Sequence, residues 1–203
     1  MLLLALTSLY SQQMTPLDSL YAQDSLGIGA RIVFKPIQLW QHFSYSQATM
    51  NCQFEKSCSN FMVQAIQDKG LIRGTVVGTD RIVRCNPAAR HYHIQLPDSR
   101  IQYDGRLVEP LDWKHEPHPG KSPALAVALS VIPGLGRAYA GHPIDGMFSF
   151  LLVAGFAFNT YSNYQSENAI RTSVSGSLMT LFWFADMYGA FRTAKMVPDN
   201  PTP

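Results

Sequence analysis

Two apolar segments in the second half of the chain, about Gly146 to Tyr161 and Ser173 to Phe191, set the strongest limit on its fold. Each is near the lower limit of about 17 residues for a helix that crosses a bilayer. Phe148, Phe150, Phe156, Phe158, Phe182, Trp183 and Phe184 make either one costly to leave in water. The pattern predicts an α-helical transmembrane hairpin inside a region spanning 123–196, and the competing reading is a pair of buried helices in a soluble domain. Charged residues are only 15% of the chain, well below the usual quarter of a soluble protein, and the deficit falls mainly in this half. A formal net charge of +2 gives no electrostatic case for nucleic acid.

The approach to the first segment reads P-G-x-G-x2-Y-x-G, carried by Pro133, Gly134, Gly136, Tyr139 and Gly141. It resembles small bacterial two-helix membrane hairpin families. The glycines permit a tight break, and Tyr139 suits the headgroup level. Asp186 in an apolar helix should point into the helix pair rather than at lipid. With no second membrane carboxylate near enough for a proton relay, its expected role is structural. Ala185 and Gly189, four apart, would let the two helices approach closely. Arg137, Arg192 and Lys195 outnumber Arg171 in the connecting loop, so positive-inside counting puts the cysteine-bearing domain before the hairpin in the cytoplasm.

The first half is organised around Asn51 to Pro87, which holds all three cysteines, Cys52, Cys58 and Cys85. Ser59 stands where a helix N-cap is wanted and Gly70 where a C-cap takes positive φ, predicting a helix over about Asn60 to Lys69. A second helix follows over about Leu71 to Arg84. On a helical wheel Arg73 and Arg84 nearly align and Arg81 lies within a quarter turn, beside a stripe of Ile72, Val76 and Val83. That makes a basic and apolar surface suited to anionic lipid, where each Arg contributes on the order of 1 kcal/mol. A solvated face with an internal pair to Asp80 is the plainer reading. Upstream, Pro36 predicts a helix start with Ile37, Trp40, Gln41 and Phe43 at helical spacing, its aromatics fitted to a membrane interface or to a core. Downstream, Asp104-Gly105 predicts a type I′ turn in a short hairpin between Arg100–Tyr103 and Arg106–Glu109.

The spacing C-x5-C-S-x-aromatic, then A-I-x3-G-x2-R-G, then R-I-V-R-C-x-P falls on Cys52, Phe54, Cys58, Ser59, Phe61, Ala65, Ile66, Gly70, Arg73, Gly74, Arg81, Ile82, Arg84, Cys85 and Pro87. Over about residues 40–110 it resembles the membrane protein insertion efficiency factor family, YidD. The resemblance implies a bacterial protein at the inner face of the plasma membrane, with a non-enzymatic part in inserting new proteins near the insertase and translocon. The chain departs from that family after Pro87. In place of a compact G-G-x-D-P-V-P close it has Tyr103-Asp104 and Val108-Glu109-Pro110, separated by an insertion.

The cysteines admit a three-thiolate zinc site with His91 or His93, but a five-residue gap is wider than structural zinc spacing. The sequence is read as having no metal and no cofactor, with the cysteines as scaffold thiols or a disulfide. No phosphate loop or nucleophile motif is present, which predicts a protein that is not an enzyme. The expected organisation is a signal-like segment 1–13, or simply a short apolar start, and a linker 14–35. A YidD-like domain 36–112 follows, then a linker 113–122, the hairpin region and a tail 197–203. The expected fold is mainly α: a small helical cysteine-containing domain with a short β-hairpin, then the membrane hairpin. Trp40, Phe43, Arg73, Arg81 and Arg84 are the expected contacts to lipid bilayer or client. A signal that is cleaved would put the cysteine domain outside instead. A metal- or thiol-dependent envelope protein and a structural membrane module are the alternative functions.

Overall fold

A computed structural model describes residues 17, 28–45, 52–96, 99–111 and 120–196. The segment 1–13, most of the two linkers and the tail lie outside the described residues. The chain divides into two compact units, Met1–Asn51 and Cys52–Pro203. As expected, the architecture is mainly helical with one two-stranded hairpin.

In the first unit, α1 spans Ile28–Tyr45 and carries Pro36 inside it. The helix therefore starts eight residues before the expected position, and the 28–35 part of the predicted linker is helical. The apolar run Ile32-Val33-Phe34 continues the helical stripe upstream, and Pro36 costs one backbone donor without stopping the helix. Phe34, Gln41 and Ser44 share a buried face, while Trp40 and Phe43 are more than half exposed with ring centroids 5.9 Å apart.

In the second unit, α2 (Cys58–Lys69) is capped by Ser57, whose Oγ accepts the Asn60 N–H at 3.3 Å. Ser59 is therefore not the cap. It lies in the first turn with its hydroxyl 3.1 Å from that of Ser57, because the helix begins two residues earlier than the spacing of apolar residues suggests. Gly70 ends α2 with φ 79° and starts α3 (Leu71–Arg84) directly. The two helices cross at contact distance. A methyl on Gly74 would collide with the Ala65–Ile66 backbone, and one on Gly78 with Met62. Phe61, Ala65 and Val77 fill the space between them.

A short α4 (Ala89–Ile94) leads to β1 (Arg100–Ile101) and β2 (Leu107–Val108), paired Arg100 to Val108 and Ile101 to Leu107. The turn is not type I′. Gly105 has φ 84° and Asp104 does not take positive φ, while Gln102 exchanges backbone bonds with Arg106 and Gly105. This is a three-residue loop whose last position is left-handed, an alternative that one glycine satisfies and Asp104 supports by accepting the Arg106 N–H. The stretch around Phe54 runs along β2, with Leu107 N–H bonding the Gln53 carbonyl at 2.9 Å.

The remainder is helical: α5 (Pro123–Leu129), α6 (Leu135–Tyr139), α7 (Pro143–Gln165) and α8 (Ala169–Met196). Ser122 caps α5 and Pro123 opens it. Gly134, at φ 84°, lies against the backbone of Gly146, so the break before α6 and the start of α7 touch main chain to main chain. Ala126, Ala140, Ala190 and Ala194 pack α5 and the α6 end against α8. The turn Ser166–Asn168 joins α7 and α8, which pack together along their length. Among the described helices, α7 alone is long and apolar enough to cross a membrane. α8 misses that threshold through Asp186 and a run of Ser and Thr. Several of those hydroxyls, at Ser173, Ser175 and Thr180, bond carbonyls four residues back and so leave no unpaired polar group.

Gly134→Ala should destabilise the protein by more than about 2 kcal/mol, through left-handed strain plus collision. Gly155→Ala, with open space around it, should change stability by less than about 1 kcal/mol. Unfolding curves of the two variants in one detergent check this, and equal effects would contradict the packing described.

Candidate functional site: a buried ionic joint and a three-thiol cluster

Two of the three arginines expected to face lipid, Arg81 and Arg84, point inward. Asp80 and Arg81 on α3 and Glu109 after β2 are buried, and Arg84 is 12% exposed. Arg84 donates Nε to Asp80 at 2.8 Å and both Nη atoms to Glu109 at 2.8 Å each. The hairpin base completes the cluster. Arg137 of α6 donates to Asp80 at 2.6 Å, to Asp186 at 2.8 Å and to the Ala185 carbonyl at 3.0 Å. Arg192 of α8 donates to Glu109 at 2.8 Å. Asp186 also accepts the Gly134 N–H at 2.9 Å. Gly189 is required by this cluster and not by the α7–α8 approach, since a methyl there would strike the Arg137 guanidinium and the Asp80 carboxylate.

A second seam lies beside the first. Asn86, just past α3, donates to Asp145 of α7, and Asp145 also bonds His142 at 3.1 Å. Tyr92 of α4 stacks on His142 at 3.9 Å and accepts the Ile144 N–H at the α7 N-terminus. A cavity of about 30 Å³, room for one water, is lined from both seams by Arg84, Glu109, Arg192, Tyr92, His142 and Asp145. Burial pushes the Glu109 carboxyl up, but the Arg84, Arg192 and Arg81 charges outweigh it and hold it well below the ordinary range. Asp80 is held low in the same way, by Arg84, Arg137 and Arg192 against its burial.

The three cysteines converge. Their sulfurs lie within 4.8 Å of one another and none is in a disulfide. Cys52 precedes the strand-like stretch, Cys58 opens α2 and Cys85 caps α3. Hydrogen bonds from Cys58 and Cys85 hold the Cys52 thiol low, and the same bond pushes Cys58 up. Arg81 lies beside this trio, its guanidinium 3.6 Å from the Phe54 ring centre and 4.5 Å from that of Phe61.

Residues 29–95 match the YidD family, described as "Putative membrane protein insertion efficiency factor". Proteins of that name from Thermotoga neapolitana and Thermotoga maritima are each 31% identical over 68 residues. These cover 34% of this chain and 86% and 84% of theirs. One from Fervidobacterium nodosum is 30% identical over 67 residues, 33% of this chain and 79% of its own. The chain belongs to the YidD family. No solved structure matches it.

The YidD match ends at residue 95, which divides the joint in two. Asp80, Arg84, Asn86 and Tyr92 come from the YidD portion. Glu109, Arg137, His142, Asp145, Asp186 and Arg192 come from the chain beyond it. Of the sequence-picked residues, Arg73 is exposed at the start of α3 with Leu71 and Ile72. Tyr139 is half-buried, its hydroxyl accepting the Ser122 N–H at 3.1 Å. Glu109 escaped the sequence reading because its partners stand 25 and 83 residues away. A lone glutamate after a hairpin carries no local signal.

Glu109→Gln should cost about 3–5 kcal/mol by leaving buried guanidiniums unpaired. Because the folded Glu109 and Asp80 carboxyls titrate below their unfolded values, the unfolded chain binds more protons. Their stabilisation is complete above about pH 5 and falls as the solution is acidified through the lowered values. Acid unfolding of the wild type should show this slope, and Glu109→Gln should flatten it.

Proposed function

We propose that this protein is a membrane-anchored, non-enzymatic accessory factor for inserting proteins into the bacterial plasma membrane. The part of its YidD portion that lies in the second unit, 52–95, is joined to the proposed anchor by buried ion pairs. One observation carries the anchor: α7 is apolar yet turned outward, with Met147, Phe150, Leu151 and Phe158 each half exposed or more. A core helix of a soluble domain buries such residues, so lipid is the solvent that suits this face. Exposed Ile170, Val174, Phe184 and Phe191 make α8 the second lipid-facing helix of the hairpin, and Val131 and Ile132 beside its base suit the interface.

Arg81 and Arg84 are removed from the contact surface by their burial. The contacts to lipid or to an emerging apolar segment are then Arg73 with Leu71 and Ile72 on α3, and Trp40 with Phe43 on α1. An exposed cation beside exposed apolar side chains suits both an anionic headgroup and a hydrophobic client. The names of the relatives support the insertion role, and positive-inside counting supports a cytoplasmic cysteine-bearing domain. The insertase and translocon are the neighbours this role requires.

Phe150→Lys with Phe158→Lys should make the protein extractable from membranes at alkaline pH, since each Lys near a helix centre costs about 3 kcal/mol. Cells lacking the protein should insert newly made multi-span proteins more slowly. Wild type should restore the rate and a Trp40→Ala, Arg73→Gln chain should restore it only partly. Unchanged insertion without the protein would remove the functional reading, and unchanged extraction of the double-lysine variant would remove the anchor.

A further inference from the structure

We infer that Cys52, Cys58 and Cys85 form a binding site for one thiophilic divalent cation of the zinc class, with Arg81 as the neighbouring counter-charge. The wide C-x5-C spacing argues against zinc only if both cysteines belong to one short knuckle. Here the three sulfurs arrive from three separate turns: the stretch paired with β2, the first residue of α2 and the residue after α3. They already lie within 4.8 Å of one another. Zinc–thiolate bonds of about 2.3 Å place tetrahedral sulfurs roughly 3.8 Å apart, so the site closes by small side-chain rotations. All three cysteines are partly accessible and unbridged, which gives an ion a route in.

The surroundings point the same way by an independent route. Arg81 is 1% exposed and held between two aromatic rings, and its Nη1 has no hydrogen-bond partner among the described residues. Its nearest carboxylate, Glu109 at 3.2 Å, is shared with Arg84 and Arg192. A divalent ion that takes three thiols releases three protons and leaves a cluster of net charge −1. Such a cluster adds negative charge beside a buried guanidinium that shares its nearest carboxylate with two other arginines. His93 is turned to the Arg100 carbonyl and His91 to Gln95, so the fourth position is left to water or an added ligand. That is the three-protein-ligand arrangement in which zinc keeps an open coordination site.

Titrating the full chain, purified in detergent under reducing conditions and stripped with a chelator, with cobalt(II) tests this. The expected result is thiolate-to-cobalt charge-transfer and tetrahedral ligand-field absorption that saturates at one ion per chain and is displaced by zinc. Zinc should also protect all three thiols of the wild-type protein from a thiol reagent, a readout that needs no variant. Cys85→Ser should weaken cobalt binding at least tenfold with the helical circular dichroism retained. Absence of the charge-transfer band in protein whose three thiols titrate would overturn the site. So would a band that Cys85→Ser leaves unchanged, or thiols that zinc does not protect.

Discussion

The pairing of Asp80 and Glu109 with Arg84, Arg137 and Arg192 is the constraint on which the second unit depends. Removing even one ion from water costs several kcal/mol, and that cost is offset only when each charge finds well-aligned partners. Here Glu109 receives a two-pronged bond from Arg84 and another bond from Arg192, while Asp80 receives bonds from Arg84 and Arg137. Each side of the joint is therefore incomplete without the other. Shielding of the hairpin base from water would strengthen every one of these pairs, because the same geometry is worth more at low dielectric.

This dependence changes how the added helices relate to the part of the YidD portion within the second unit, 52–95. A tether would leave that portion free to fold and move alone, linked through flexible chain. Instead α3 packs on α8, and Tyr92 holds the backbone at the start of α7. The base of the two long helices thus meets α3 through packed helices and short ionic contacts. The exposed face at Leu71, Ile72 and Arg73 is thereby held in a fixed relation to the base of α7 and α8.

The sequence made some of this legible and hid the rest for identifiable reasons. The bounds of α3 were readable, with Gly70 marking its start. Asp186, expected to point into the pair of long helices, is instead held by Arg137 of α6 and the Gly134 N–H. The helical wheel grouped Arg73, Arg81 and Arg84 on one face, of which Arg81 and Arg84 meet buried carboxylates while Arg73 is exposed. It could not tell that face from a wet one, because the deciding carboxylate is 25 residues away and the other cations are on α6 and α8. Asp80, read only as the partner in an internal pair on a solvated face, is a residue around which the buried cluster is built. The spacing of Ala185 and Gly189 signalled close packing but not its occupant, which is the Arg137 side chain. The early start of α1 was hidden by Pro36, a residue that marks helix starts more often than it is carried inside them.

Helix α7 and helix α8 then divide two tasks that a symmetric hairpin would share. α7 has one acidic side chain, Asp145, at its base, and above it an apolar surface with little buried. α8 carries Asp186, Gly189 and Arg192 on the face turned to α3 and α6, and hydroxyls satisfied by its own backbone higher up. Its lower apolarity therefore follows from the joint that it holds on that face. Mean hydropathy averages over both faces of a helix, whereas in the proposed hairpin a bilayer would meet only one. A helix that binds arginine on its inner face, with lipid proposed for its outer face, falls below a threshold set for helices that meet lipid all round.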